Sequence, residues 1–213
     1  MTVIRRRFGI AGVAFIVLLA VNAPGQEKND IAVLFGRTWI AHQTVPGTNF
    51  VGNSLAFGRG IDLEINYQRI LKRGDRASFS VEVPVLLDLD EDLNYGMNVI
   101  PQDYRSYFVT PSARVTFLPN LPFTPWASVG GGFGHFSASS TLEFGGANPG
   151  KTGNTIGVLQ FGGGTDVPIW RTFSLRGEIR DFYSGVPQLN IDTGKSHQSN
   201  LFVGVGVVWR FDR

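Results

Sequence analysis

Asn200–Phe211 reads NLFVGVGVVWRF, and its reading decides the fold. Taken in twos, one parity is Leu201, Val203, Val205, Val207, Trp209 and Phe211, all apolar. The other is Asn200, Phe202, Gly204, Gly206, Val208 and Arg210, which is small and mixed. Side chains alternate faces along a strand, so this segment shows hydrocarbon to one side and something tight or wet to the other. Its twelve residues exceed the usual strand of about 5–6 and suit a tilted membrane-spanning strand of roughly 9–11 plus interfacial ends. Trp209 and Phe211 close the apolar parity where an interfacial aromatic girdle would lie. The last strand of a soluble sandwich could alternate in the same way, so the other strands decide.

Outward from that segment, the N-terminus is of a different kind. Arg5, Arg6 and Arg7 form a basic start, Phe8 to Val21 is apolar, and Ala23-Pro24-Gly25 is a small-x-small cleavage site. Residues 1–25 therefore read as a secretory signal peptide and 26–213 as one β-barrel domain. The chain has no Cys, so neither a disulfide framework nor a lipid-modified cysteine is available. Removing the three signal arginines leaves 16 Lys+Arg against 17 Asp+Glu. The basic isoelectric point of the precursor is then no argument for nucleic acid, and none is expected as a partner.

Seven further strands follow the same alternation. The first, around Ile31 to Ile40, is ambiguous, and Arg37 places Val33, Phe35 and Arg37 inward. The second, about Leu55 to Arg69, sets Leu63, Ile65 and Tyr67 against Asp62, Glu64 and Gln68, and a Gly74 turn taken at positive φ follows. The third sets Phe79, Val81, Val83 and Val85 against Ser78, Ser80 and Glu82. The fourth sets Tyr107, Val109, Val115 and Phe117 against Thr110, Ser112, Arg114 and Thr116. The fifth and sixth carry Gly130-x-Gly132-x-Gly134, Gly162 and Gly164 on their inward parity. The seventh is sharpest, with Phe173, Leu175, Ile179 and Tyr183 against Ser174, Arg176, Glu178 and Arg180. The connections alternate long and short. That pattern is expected of an all-β, eight-stranded, antiparallel up-and-down transmembrane β-barrel, and a sandwich gives no reason for it.

The inward parity collects Asp62, Glu64, Glu82 and Glu178 with Arg37, Arg114, Arg176 and Arg180. A soluble barrel would put these charges outside. Buried charges persist when paired, so the expectation is an Arg–carboxylate network plugging a lumen that eight strands leave just wide enough for side chains.

On these patterns the chain resembles the small eight-stranded outer-membrane barrels, such as the OmpA-like transmembrane domain. The resemblance implies outer-membrane localisation, a monomer, and contact with outer-membrane lipid and lipopolysaccharide. It also implies a C-terminal signal for the barrel-assembly machinery, which Gly206, Trp209 and Phe211 fit, although Gly204 stands where a polar residue is usual.

Three segments look like chemistry. Gly145–Thr152, GGANPGKT, matches a phosphate-loop pattern, but the glycine-rich run after it is a strand rather than the helix a phosphate needs. Asp88, Asp90, Glu91 and Asp92 suggest a loose divalent-ion site, yet Leu93 and Val99 occupy positions where a calcium loop needs Gly and Glu. His197-Gln198-Ser199-Asn200 resembles the His-x-Ser-Asn segment of the outer-membrane lipid A deacylases, whose His and Ser work with a Glu. His197 and Ser199 share the lipid-facing parity, but Glu178 points inward, leaving a loop acid such as Asp192 to orient the histidine. His42 and His135 stand singly. The reading is a structural or interaction barrel without catalysis or cofactor; a lipid A-modifying esterase or a narrow pore is the alternative.

Overall fold

The computed structural model describes residues 28–41, 43–44, 54–57, 60–91, 93–94, 100–187, 189 and 194–212. The signal segment, His42 and Asp192 lie outside them. Eight strands form one closed antiparallel ring: β1 (Lys28–Ile40), β2 (Asp62–Arg73), β3 (Ala77–Glu91), β4 (Tyr104–Val109 and Ser112–Phe117), β5 (Thr124–Ala138), β6 (Gly153–Trp170), β7 (Phe173–Gly185) and β8 (His197–Asp212). Pro111 has no N–H to give, which interrupts β4, but both halves keep one register against β3 and β5. β1 pairs with β8, so no sheet edge is left.

The register fixes the tilt. Trp39 pairs with Leu201, Leu201 with Asp181, Asp181 with Phe161, Phe161 with Val129, Val129 with Ala113, Ala113 with Val81, Val81 with Arg69, and Arg69 with Asn29. The ring thus returns to β1 ten residues below its start, at Asn29 rather than Trp39. A closed barrel with such a stagger tilts its strands by about 35–45°.

One rim carries the short connections β2–β3, β4–β5 and β6–β7, and the other the four long ones. Gly74 is not at positive φ, contrary to the expectation for its turn; the turn closes by Gly74 N–H donating to Ala77 O at 3.0 Å. The segment read as one strand from Leu55 divides. Ser54–Phe57 pairs with Gln43–Thr44 and Leu93–Asn94 in a small separate sheet at the long-loop rim, and β2 begins only at Asp62.

Facing follows the alternation in seven strands and fails in β1. There Asp30, Ala32, Leu34 and Thr38 are buried, while Val33, Phe35 and Trp39 are exposed. Arg37 is therefore on the outer wall, its guanidinium 5.8 Å from the centre of the Trp39 ring. Most of the wall is apolar: Val205 is 69% exposed and Phe35 60%, whereas inward Phe202 is 0%. Glycine makes room for the largest inward rings. A Cβ on Gly204 or Gly36 would come within 2.5 Å of the Phe202 ring, and one on Gly164 within 2.7 Å of Trp126.

Candidate functional site

The lumen has two layers, and the one towards the short turns is charged. Arg114 on β4, Trp126 on β5, Asp166 on β6 and Arg176 on β7 all lie in the strand halves nearer those turns. Arg176 Nε and Nη2 donate to the two Asp166 oxygens at 2.7 and 2.9 Å, and Arg114 Nη2 donates to Asp166 Oδ2 at 2.9 Å. Next to them Arg180 meets three carboxylates: Glu178 at 2.6 Å, Glu82 at 2.7 Å and Glu64 at 3.2 Å. Glu82 also lies 3.5 Å from Arg114, which joins the two groups into one network. Every one of these side chains is at most 4% exposed. Trp126 lies among the arginines, its ring centre 4.0 Å from the Arg114 guanidinium, 5.0 Å from Arg180 and 5.4 Å from Arg176. A ring quadrupole here offsets part of the cost of gathering three cations in a dry place.

Three residues change the composition read from the sequence. Arg37 is outside, as described. Asp62 is buried and inward, but its neighbour across the sheet is Asp88 and it forms none of these ion pairs. Asp166, which the sequence reading omitted, bridges two arginines. The alternation of β6 itself places Asp166 on the parity of Gly162 and Gly164, and that was the signal available. Below the network, Asp30 and Arg210 stand 3.5 Å apart beside a cavity of about 140 Å³ that opens towards the short-turn rim.

The layer towards the long loops is built on packed rings, with hydrogen-bonded Asp88 and Asn200 buried beyond them. Phe108, Phe136, Phe182 and Phe202 are buried with Leu34, Leu86 and Val158, and Ile100 from the β3–β4 connection packs on them. Phe108 stacks tilted on Phe182 at 5.1 Å and edge-on to Phe136 at 5.5 Å. These contacts close the lumen with ring packing rather than charge. Gln160 lies at the join: with both ends of its amide satisfied, its oxygen accepts from Arg180 Nη1 at 3.2 Å and from Gly162 N at 3.0 Å.

The outer wall near the long-loop rim carries the remaining polar groups. His197 and Ser199 are both there, but they are not partners. Ser199 Oγ donates to Asp181 Oδ1 at 2.7 Å, and His197 Nδ1 lies 2.8 Å from Ser196 Oγ with its ring stacked 5.4 Å from Tyr183. A nucleophile needs its base on the hydroxyl proton, and here that proton is directed at Asp181, an outward acid the sequence reading did not use. Gly145 and Gly146 take φ of 89° and 97° within a loop that enters β6 without a helix. Asp88 faces the lumen and accepts from Ser106 Oγ at 3.3 Å, while the side chains of Asp90, Glu91 and Asp92 lie outside the described residues. Among the described residues no three His, Asp or Glu side chains gather as a metal site. Gly206 is inward against Leu34, and Trp209 and Phe211 lie 5.1 Å apart on β8 at the short-turn rim.

A closed eight-stranded antiparallel barrel with an apolar wall and a filled polar lumen is the fold of the small outer-membrane barrels. Among solved structures the chain is similar to Neisserial surface protein A, NspA, with 15% identity, a TM-score of 0.50, and 88% of this chain and 98% of that one covered. It is also similar to Ail of Yersinia pestis in complex with the heparin analogue sucrose octasulfate, at 14% identity and a TM-score of 0.49, covering 88% and 100%. OprG of Pseudomonas aeruginosa gives 9% identity and a TM-score of 0.49, covering 91% and 99%. No protein-family model and no curated protein matches the sequence.

Proposed function

We propose that this chain is a structural or interaction barrel of the outer membrane, exported by its signal segment, with its lumen sealed and its long loops at the cell surface. The observation that carries the membrane assignment is the wall. Outward side chains such as Phe35, Ile65, Phe79, Val129, Phe161, Leu175 and Val205 are exposed apolar groups on seven of the eight strands, and β4 adds Phe117. A continuous apolar belt of this kind marks an interaction surface, and a belt running all round a closed barrel matches a bilayer. What supports a sealed lumen is its two layers, one of paired charge and one of packed rings. The contacts of the protein are then with outer-membrane lipid and lipopolysaccharide, and Gly206, Trp209 and Phe211 present the assembly signal to the barrel-assembly machinery.

The esterase alternative is not adopted, because Ser199 donates to Asp181 rather than to His197. The test of the membrane reading is the mature chain in plain buffer and in detergent. It should aggregate in buffer and fold in detergent to a species whose gel mobility shifts on heating. A monomer that stays folded in buffer would overturn the reading.

A further inference from the structure

The charged layer of the lumen does not balance. Among the described residues its ion pairs join three arginines, Arg114, Arg176 and Arg180, to four acids, Glu64, Glu82, Asp166 and Glu178. Arg210, nearer the short-turn rim, is matched by Asp30. One negative charge is left over among side chains at most 4% exposed. A site this dry does not keep an uncompensated carboxylate; the acid takes up a proton or finds a cation.

The hydrogen bonds single out the odd acid. Asp166 accepts from Arg176 on Oδ1, and from Arg176 and Arg114 on Oδ2. Glu82 accepts from Arg180 Nη1 at 2.7 Å on one oxygen and from Asn66 Nδ2 at 3.0 Å on the other. Glu178 accepts from Arg180 Nε at 2.6 Å and from Arg180 Nη2 at 3.3 Å. Of the four, Glu64 is the acid with no donor to either oxygen. Its Oε1 lies 3.2 Å from Arg180 Nε, but that nitrogen carries one hydrogen, which is directed at Glu178. Two carboxyls thus crowd one nitrogen and only one of them receives its hydrogen. The position is also the worst in the layer for an extra charge, because Glu64 pairs across the sheet with Leu34 and Leu86. The charged groups facing it are Arg180 and Glu178 from β7 and Glu82 from β3, with Asp62 two residues along the same face of β2. Arg114 on β4 and Asp166 on β6 are engaged with each other, with Glu82 and with Arg176. On β5 the neighbour of Arg180 is Ser128, and on β8 Phe202 and Gly204 stand opposite Arg180 and Glu178.

We infer that the lumen binds one proton at Glu64, whose O–H donates to Glu178, and that the plug is complete only while this proton is held. The charge of the layer then balances, Glu64 is a donor rather than an acceptor without a donor, and no charge is set against Leu34 and Leu86. Unfolding exposes Glu64 to water, where a glutamate gives up its proton above about pH 4.3. At neutral pH the folded barrel therefore holds one proton more than the unfolded chain, so its stability falls as pH rises. The proton lies inside the barrel whether the wall meets lipid or detergent.

The experiment is infrared spectroscopy of the full mature chain, folded in lipid vesicles or detergent at neutral pH and checked by its heat-shifted gel band. The wild type should show the carbonyl stretch of a protonated carboxyl, and heavy-carbon labelling of the glutamate carboxyls should move it. Glu64→Gln should delete the band and leave the urea midpoint where it was, because a neutral amide replaces a neutral acid. Glu82→Gln, which removes a carboxylate served on both oxygens, should lower the midpoint. Glu178→Gln should delete the band although Glu64 is still present, because three cations then face three carboxylates. Between about pH 5 and 7 the wild-type folding equilibrium should weaken about tenfold per pH unit relative to that of Glu64→Gln. A wild type without the band would mean an ionised Glu64 beside a bound cation or water, and would overturn the site. So would a band that survives Glu64→Gln or Glu178→Gln, or a midpoint that falls as far in Glu64→Gln as in Glu82→Gln. Should the variants not fold, the labelled wild type decides: a band that heavy carbon at glutamate does not move belongs to another residue.

Discussion

The two halves of the lumen share a parity and differ in everything else. From the short turns up to the middle of the bore, where Glu64 pairs across the sheet with Leu34 and Leu86, three arginines and four acids form a network in which each ion owes its burial to its partners. Towards the long loops, four phenylalanines with Leu34 and Leu86 fill the bore by packing, with hydrogen-bonded Asp88 and Asn200 buried at its end. Strand alternation determines which way a side chain points, but not what the space it enters will accept. The charged half is sensitive to geometry and the apolar half to volume, and that difference can be tested.

The largest effect should come from Arg180. Arg180→Ala strands the buried Glu64 and Glu178 and leaves Glu82 only Arg114 at 3.5 Å, and should destabilise the refolded barrel by about 3–5 kcal/mol in urea titrations in lipid vesicles. Arg180→Lys should recover little of this, because an ammonium cannot reproduce the planar fork facing three carboxylates. Loss below about 1 kcal/mol would mean that water reaches the network and the layer is not dry.

Phe182 tests the other half. Phe182→Ala should cost about 3 kcal/mol through lost burial and the cavity left beside Phe108. In contrast to the arginine, a cruder replacement should work here, and Phe182→Leu should restore all but about 1.5 kcal/mol. If Leu is no better than Ala, ring stacking rather than volume closes this layer, and the comparison needs redrawing.

How much of this was legible follows the same division. In β2, β3 and β7 the inward charges alternate with apolar residues or glycine, Asp181 after Arg180 excepted, so Glu64, Glu82, Arg176, Glu178 and Arg180 could be assigned from alternation alone. In β1 the charge misled: a long guanidinium can lie along an apolar wall over Trp39 and keep its head at the interface, so charge does not imply lumen. Asp166 follows two inward glycines and precedes a turn, where an acid is ordinary, and its value as a bridge appears only when β4 and β7 come round the ring to meet it. The aromatic layer was hidden by the expectation that a membrane barrel is polar inside. Phe108, Phe136 and Phe182 break that rule because an eight-stranded bore must be filled, and rings fill it. The Ser199–Asp181 contact depends on the β7–β8 register, which pattern alone does not supply.

That contact gives the smallest expected effect. It lies on the partly wetted outer rim, so Asp181→Asn should change stability by less than about 1 kcal/mol, since an exposed pairing is screened and easily replaced by water. A loss approaching that of Arg180→Ala would place Asp181 in a dry site and erase the contrast between wall and lumen.

Conductance across a planar bilayer tests the sealed, two-layer lumen most directly. With insertion verified by the heat-shifted gel band, the wild-type barrel should pass no steady current, because paired charge blocks one half of the bore and packed rings the other. A steady open channel in the wild type would contradict the account.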